Sequence, residues 1–468
     1  MIRLVVPFLV VCAVFLTEAE SPLEAAAAAS EMSVILSNGP TASRINVALL
    51  AEGYRDVESA KFYADARTVV TSLLAAEPLR SYARFYNAFA IFVASEESGS
   101  SHTNPPIARR TYFNSTFDSY GIQRLLTLPP NNLNSRYADG QGKAIDLLKQ
   151  WLPDYDLAVV VVNDPTYGGS GGPILVVSTH SLSGQIAVHE QGHTFAALGD
   201  EYADPFPGYP DIEEPNTTRE TQRDRIKWRT WIDPATPLPT PTNNTLYARA
   251  VGLFEGAHYH SVGWFRPRLD CRMRSLGSPF CQVCAEAIDL SLHRALGTMD
   301  SSTPATNLPV VVSIFGSGEF VLSPVLPAGA GASVSWSLDD VAMATDDPFR
   351  LLLPGSALAR PTSQLVARYT LESPFVRTDP NHLMEGVVQW TITRDMQKPP
   401  ALAWGWDKGG GLFLAWPVAA EGFQLETTTD VVSGKWTIAS GSPIRAVDQW
   451  QQAFPLSQAG AYFRLRRP

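Results

Sequence analysis

The run from Gln185 to Tyr202, QIAVHEQGHTFAALGDEY, constrains this chain more than any other stretch. His189 and His193 are four residues apart, so on an α-helix both imidazoles leave one face and can reach one metal ion. Glu190, between them, is placed to take a proton from an activated water. This is the H-E-x-x-H arrangement that holds zinc in metalloproteases. The helix context agrees: Gly184 can open it, Ile186 and Val188 begin an apolar run, Phe195 to Leu198 continue it, and Gly199 is expected to end it. A catalytic zinc takes three protein ligands and keeps a fourth position open. Asp200 and Glu201 are the nearest further carboxylates. Asp200 is favoured as the third ligand, with Glu201 as its supporting partner or its rival; the alternative is that both merely cap the helix end.

The run HEQGHTFAALGDEY resembles the signature of the M64 metallopeptidases, the IgA peptidase family of bacteria. The likeness extends to LLAEGY (Leu49 to Tyr54), NDPTYGG (Asn163 to Gly169), FEGAHY (Phe254 to Tyr259), and CRMRS with FCQVC between Cys271 and Cys284. These segments fall in order from about Ile45 to Ala287, far more specific than the metal motif alone. The resemblance implies a zinc-dependent endopeptidase with a metzincin-like fold acting on a protein or peptide. It does not imply immunoglobulin as substrate. Within it, Met273 resembles the methionine that floors a metzincin metal site. Tyr259 is a candidate donor to the oxyanion formed when water attacks a peptide carbonyl, or else a wall of the pocket. His258 and His260 beside it are read as ordinary hydrogen-bonded histidines.

The net charge of −10 argues against nucleic-acid or anionic-membrane partners, which need a basic surface. Arg3 followed by the apolar run Leu4 to Leu16 and an alanine tract to Ala29 reads as a secretory signal peptide, too short to span a bilayer. The rest, with no membrane span, is expected to be secreted. Beyond Cys12, in that leader, three cysteines remain. A structural zinc would want four ligands, so one disulfide from Cys271 to either Cys281 or Cys284 is expected instead.

Arg44–Glu52, Asn87–Val93 and Leu157–Val162 read as buried strands, and Val57–Leu74 and Ile145–Leu152 as helices, giving an α/β sheet beneath the metal helix. The glycine-rich stretch Asn163–Pro173 lacks the Lys-Ser/Thr of a phosphate loop and reads as a cleft rim, with Tyr167, Gly168 and Gly169 as candidate substrate-binding residues. Ile174–Ser178 is either an edge strand that pairs with substrate or one more core strand. Ala203–Leu246 reads as a long irregular lid or binding loop, with Asn216 and Asn243 in N-x-Thr contexts as weak glycosylation candidates. Ala285–Leu296 reads as a closing helix.

With 468 residues, several domains are expected. The reading is a multidomain chain: leader 1–29, α/β metzincin-like zinc protease domain 30–300, immunoglobulin-like β-sandwich 305–397 and small fibronectin-like module 401–468. Ser301–Pro309 and Gln397–Pro400 read as linkers, and Trp336 and Trp390 as sandwich core. Two other functions would fit parts of this pattern. A zinc amidase acting on cell-wall or glycan amides would use the same ligands. A non-catalytic binding protein would be expected to have lost Glu190, which is present.

Overall fold

The computed structural model describes residues 29–129, 139–206, 208–396, 400–406, 411–420, 422–454 and 460–467. The signal-peptide reading and most of the second expected linker fall outside them. Among the described residues no helix is long and apolar enough to cross a membrane. The architecture is mixed α/β, with few helices and many sheets.

The first unit is organised on a six-stranded sheet: β1 (Ser30–Leu36), β2 (Ile45–Glu52), β3 (Tyr86–Val93), β4 (Leu157–Val162), β5 (Gly169–Ser170) and β6 (Leu175–Ser178), in the order β1-β3-β2-β4-β6-β5. Strands β3, β2, β4 and β6 run parallel, and β1 and β5 close the two edges antiparallel. Every residue of β2, β3 and β4 is buried, because parallel strands are covered on both faces and carry apolar runs rather than alternation. Val47, Leu49, Val159 and Val161 face one core, packed by helices α1 (Ser59–Leu73), α3 (Ser183–Ala196) and α4 (Gln282–Leu296). Ala48, Leu50, Val160 and Val162 face the other, packed by α2 (Gly140–Trp151) and the loop carrying Phe113 and Phe117. The expected core strands and helices are all present. Helix α2 begins five residues earlier than its apolar run, because the Asp139 carboxylate caps it by accepting from the Gln141 N–H.

Strand β6 is paired on both sides, by β4 and β5, so Ile174–Ser178 is a core strand and the edge is Gly169–Ser170. That edge is bordered in turn by the 113–127 loop, through a bridge from Leu125 to Gly169. Glu52, at the end of β2 and fully buried, holds this loop. Its carboxylate accepts from the Thr111 hydroxyl (2.5 Å) and from the N–H groups of Phe113 and Ser115 (2.8 Å each).

After α4 the described residues form mainly β-strands. A three-stranded sheet (Met299–Thr303, Ser317–Pro324, Arg350–Pro354) and a five-stranded sheet enclose one core, in which Trp336 and Trp390 stack with centroids 5.7 Å apart. Residues 301–303, read as linker from composition, belong to the first of these sheets. Two further small sheets between Ala403 and Arg466 share a core around Leu414, Trp416 and Leu425. The eight-stranded sandwich docks on α4. Glu286 accepts from the N–H groups of Arg377 (2.6 Å) and Thr378 (2.8 Å), and Asp289 from the hydroxyls of Ser373 (2.7 Å) and Tyr82 (3.0 Å).

Replacing Glu52 by alanine strands three buried donors. Glu52→Ala is expected to lower stability by about 3 kcal/mol, and Glu52→Gln by less, in urea unfolding. An unchanged midpoint for Glu52→Ala would show that the loop is held by other contacts.

Candidate metal centre and cleft

Helix α3 contains two glycines and a valine among its fourteen residues and has little intrinsic reason to be helical. Packing holds it: nine of its residues are buried, against α1, the sheet and α4. Gly192, between the two histidines, lies so close to the Met273 sulfur that a Cβ there would sit 2.8 Å from it. Met273 is fully buried beneath the helix.

The helix ends earlier than Gly199. Ala197 adopts the left-handed conformation (φ 51°, ψ 34°) and turns the chain. Gly199 serves close approach instead: a Cβ on it would lie 2.5 Å from the Glu214 carboxylate. The turn brings the Leu198 carbonyl onto His193 Nδ1 (2.6 Å) and returns Asp200 to the helix face. His189 Nδ1 meets the Arg272 carbonyl at 3.0 Å. A carbonyl only accepts, so each Nδ1 carries a proton, and each ring in its neutral form presents a lone pair at Nε2.

Those two Nε2 atoms are 3.1 Å apart, and Asp200 Oδ1 lies 3.2 Å from the first and 3.4 Å from the second. Asp200 Oδ1 is buried with no hydrogen-bond partner. With both rings neutral, three acceptors converge with no donor among them, a set that fits a small divalent cation. Glu190 adds a carboxylate oxygen within 4.8 Å of both histidine nitrogens. Charge is balanced tightly. Burial opposes charge on His193, but Asp200 beside it pushes the imidazole up to about 9, so without a cation a proton takes the Nε2 position that a metal ion would occupy. Burial likewise opposes ionisation of Asp200, yet the two imidazoles hold it well below the usual carboxylate range. Burial pushes Glu190 up, against the pull of His189 and His193.

Asp200 is fixed from three directions. The buried Asn216 side chain brackets it, accepting from the Gly199 N–H (2.7 Å) and donating to the Gly199 carbonyl (2.9 Å) and Glu201 Oε1 (3.1 Å). The Glu201 N–H donates to the Met273 carbonyl at 2.9 Å. Third, the hairpin Phe254–Arg266 turns at His258 and Tyr259, both with positive φ (53° and 58°), a strained choice for two such side chains. Their N–H groups donate to the carbonyls of Asp200 (3.0 Å) and Tyr202 (2.9 Å), and the Tyr259 hydroxyl donates to Asp200 Oδ2. His258 is buried on Trp264 (centroids 3.8 Å apart), with Nδ1 on Glu214 and Nε2 on the Pro210 carbonyl.

A cleft of about 590 Å3 opens over His189, Glu190 and His193. Tyr202, Phe206, Tyr209 and Tyr259 form one wall, and the backbone of Gly169–Gly172 forms another. Gly171 passes so near Glu190 that a Cβ would be 2.5 Å from Oε2. Of the three residues proposed from sequence for substrate, Gly169 lines the cleft. The Tyr167 ring packs against His180 and Arg124, and Gly168 against Phe117 and the Arg124 carbonyl. The irregular segment 203–246 supplies Phe206, Tyr209 and Glu214 to the cleft, while Asn216, fully buried, is inaccessible to glycosylation. The expected disulfide is absent: Cys271, Cys281 and Cys284 are all buried free thiols, whose sulfurs gather behind the centre with Glu201. Sequence reasoning passed over Asn216; its only signal was an N-x-Thr pattern with another explanation.

The family described as IgA Peptidase M64 matches residues 34–250 and 242–292, together more than half of the chain. The chain therefore belongs to the M64 peptidase family, a family of metallopeptidases. A search of curated proteins found no match.

Removing the bracket on Asp200 should loosen the centre without removing a ligand. Asn216→Ala is expected to weaken divalent-metal binding at the histidine centre about 10- to 100-fold in chelator competition, with His189 and His193 untouched. Unchanged affinity would assign Asn216 to loop stability alone.

Proposed function

We propose that this M64 peptidase is a zinc-dependent endopeptidase of metzincin-like fold, with His189, His193 and Asp200 as metal ligands and Glu190 as general base. The observation that carries this reading is the convergence of two Nε2 lone pairs and a partnerless Asp200 oxygen within 3.4 Å. Zinc held there supplies Lewis acidity toward a scissile carbonyl and toward water.

The chain's own residues do the rest. Glu190, raised by burial and open to the cleft, takes the proton of the attacking water and returns it to the departing amine. The backbone carbonyls of Leu198 and Arg272 keep both histidines in the ligating tautomer. Tyr259 holds Asp200 through its hydroxyl, and when it releases that carboxylate the same hydroxyl is at hand for a developing oxyanion. An extended peptide lies between the Gly169–Gly172 backbone and the aromatic wall. Family membership favours peptide bonds over other amides.

The same reading covers the rest of the chain. The catalytic domain expected at 30–300 yields its last two residues to an immunoglobulin-like sandwich that begins with the Met299–Thr303 strand and runs to 397, 401–468 is a fibronectin-like module, and the protein is exported through the Arg3–Leu16 leader to act on extracellular proteins. Neither β domain gathers a catalytic cluster among its described residues, which supports a role in placing the enzyme or its substrate.

The test is zinc content with casein cleavage, wild type against Glu190→Ala. The variant should keep its catalytic zinc and lose about 10²- to 10⁴-fold in kcat. A fully active variant would reject Glu190 as base. A wild-type protein whose zinc content does not fall on His189→Ala substitution would reject the ligand set.

A further inference from the structure

Asp200 and Glu201 are adjacent, yet they serve different clusters. Asp200 faces the histidines, whereas Glu201, fully buried, faces Cys271, Cys281 and Cys284. One carboxylate oxygen and the three sulfurs all lie within 4.8 Å of one another. Cys271 and Cys284 sulfurs are 3.6 Å apart, and Cys284 Sγ is 3.7 Å from Glu201 Oε1. A tetrahedral zinc with sulfur at about 2.3 Å and oxygen at about 2.0 Å needs ligand edges of about 3.5 to 3.8 Å. We propose that Cys271, Cys281, Cys284 and Glu201 form a closed structural zinc site, distinct from the catalytic centre and directly behind it.

The surroundings are built for thiolates. Cys281 caps α4 and Cys284 sits in its first turn, where unpaired N–H groups and the helix dipole favour negative charge. The Cys281 N–H points at Cys271 Sγ (3.2 Å) and the Cys284 N–H at Cys281 Sγ (3.5 Å). The Arg274 guanidinium donates to the Glu201 carbonyl (2.8 Å), Arg266 acts electrostatically on Glu201 and Arg272 on Cys271, so cationic charge is close by. Without a cation the cluster is poorly satisfied. As thiols it offers one weak chain, Cys271 to Cys284 to Glu201 Oε1, and Glu201 Oε2 remains buried with no partner. A disulfide would consume two sulfurs and leave that carboxylate and one thiol stranded. Four ligands with no open position match a structural rather than a catalytic zinc.

Such a site would join three segments that carry the cleft. Glu201 follows Asp200, Cys271 precedes the Arg272 carbonyl that orients His189, and Cys281 and Cys284 begin α4. Its metal content can be separated from that of the catalytic centre. Purified full-length protein, equilibrated with zinc and freed of excess, should hold about two equivalents, and His189→Ala about one. Loaded with cobalt(II), His189→Ala should show the near-ultraviolet thiolate-to-cobalt charge-transfer band, and that band should be lost in His189→Ala/Cys284→Ser. Alkylation after denaturation without reductant should modify all three cysteines, read by peptide mass. A metal-free His189→Ala protein, a cobalt spectrum lacking the thiolate band, or a peptide cross-linked between Cys271 and Cys281 or Cys284 would each overturn the proposal. The wild-type stoichiometry and alkylation stand even if the double variant does not fold.

Discussion

Two imidazole lone pairs and one carboxylate oxygen are forced within 3.4 Å of each other, with no proton donor in the set. Gathering acceptors this way is unfavourable unless a cation or a proton joins them, and much of the surrounding structure exists to prevent their relaxing apart. The Leu198 and Arg272 carbonyls lock the rings, Asn216 brackets Asp200, and a strained hairpin presses its tip onto the same residue. The left-handed Ala197 and the His258–Tyr259 turn are both unfavourable locally. Each is tolerated because neighbouring hydrogen bonds over-determine it.

The parts of this arrangement that are local in sequence were legible there. The i, i+4 histidines, the intervening Glu190 and the nearby Asp200 lie within twelve residues, and the parallel strands announced themselves as unbroken apolar runs. What depends on partners far away in the chain was not. Gly199 looked like a helix stop because glycine commonly is one, but the need it meets is room for Glu214. Ala197 turned instead, a choice that propensity disfavours. Asn216 read as a sugar acceptor because nothing in its own neighbourhood reveals that it is buried against Gly199 and Glu201. Three cysteines seemed one ligand short because the fourth group, Glu201, lies seventy residues upstream of Cys271.

The strand left open between edge and core shows the same limit. Ile174–Ser178 has the composition of either an edge or an interior strand, and only the return of Gly169–Ser170 along its outer side decides between them. Sheet order is a property of the whole unit, so periodicity within one segment cannot supply it. In the β region the tryptophans were a better guide than composition, since Trp336 and Trp390 had to be buried somewhere, while Ser301–Thr303 looked like linker and became strand.

Helix α4 ties these observations together mechanically. Its cap and first turn carry Cys281 and Cys284 beneath the candidate metal centre, and its middle carries Glu286 and Asp289, which grip the β-sandwich. Fifteen helical residues make a stiff rod of roughly 22 Å. With no hinge along that rod, a force applied to the sandwich would arrive at the floor of the cleft as a displacement rather than being lost in a flexible tether.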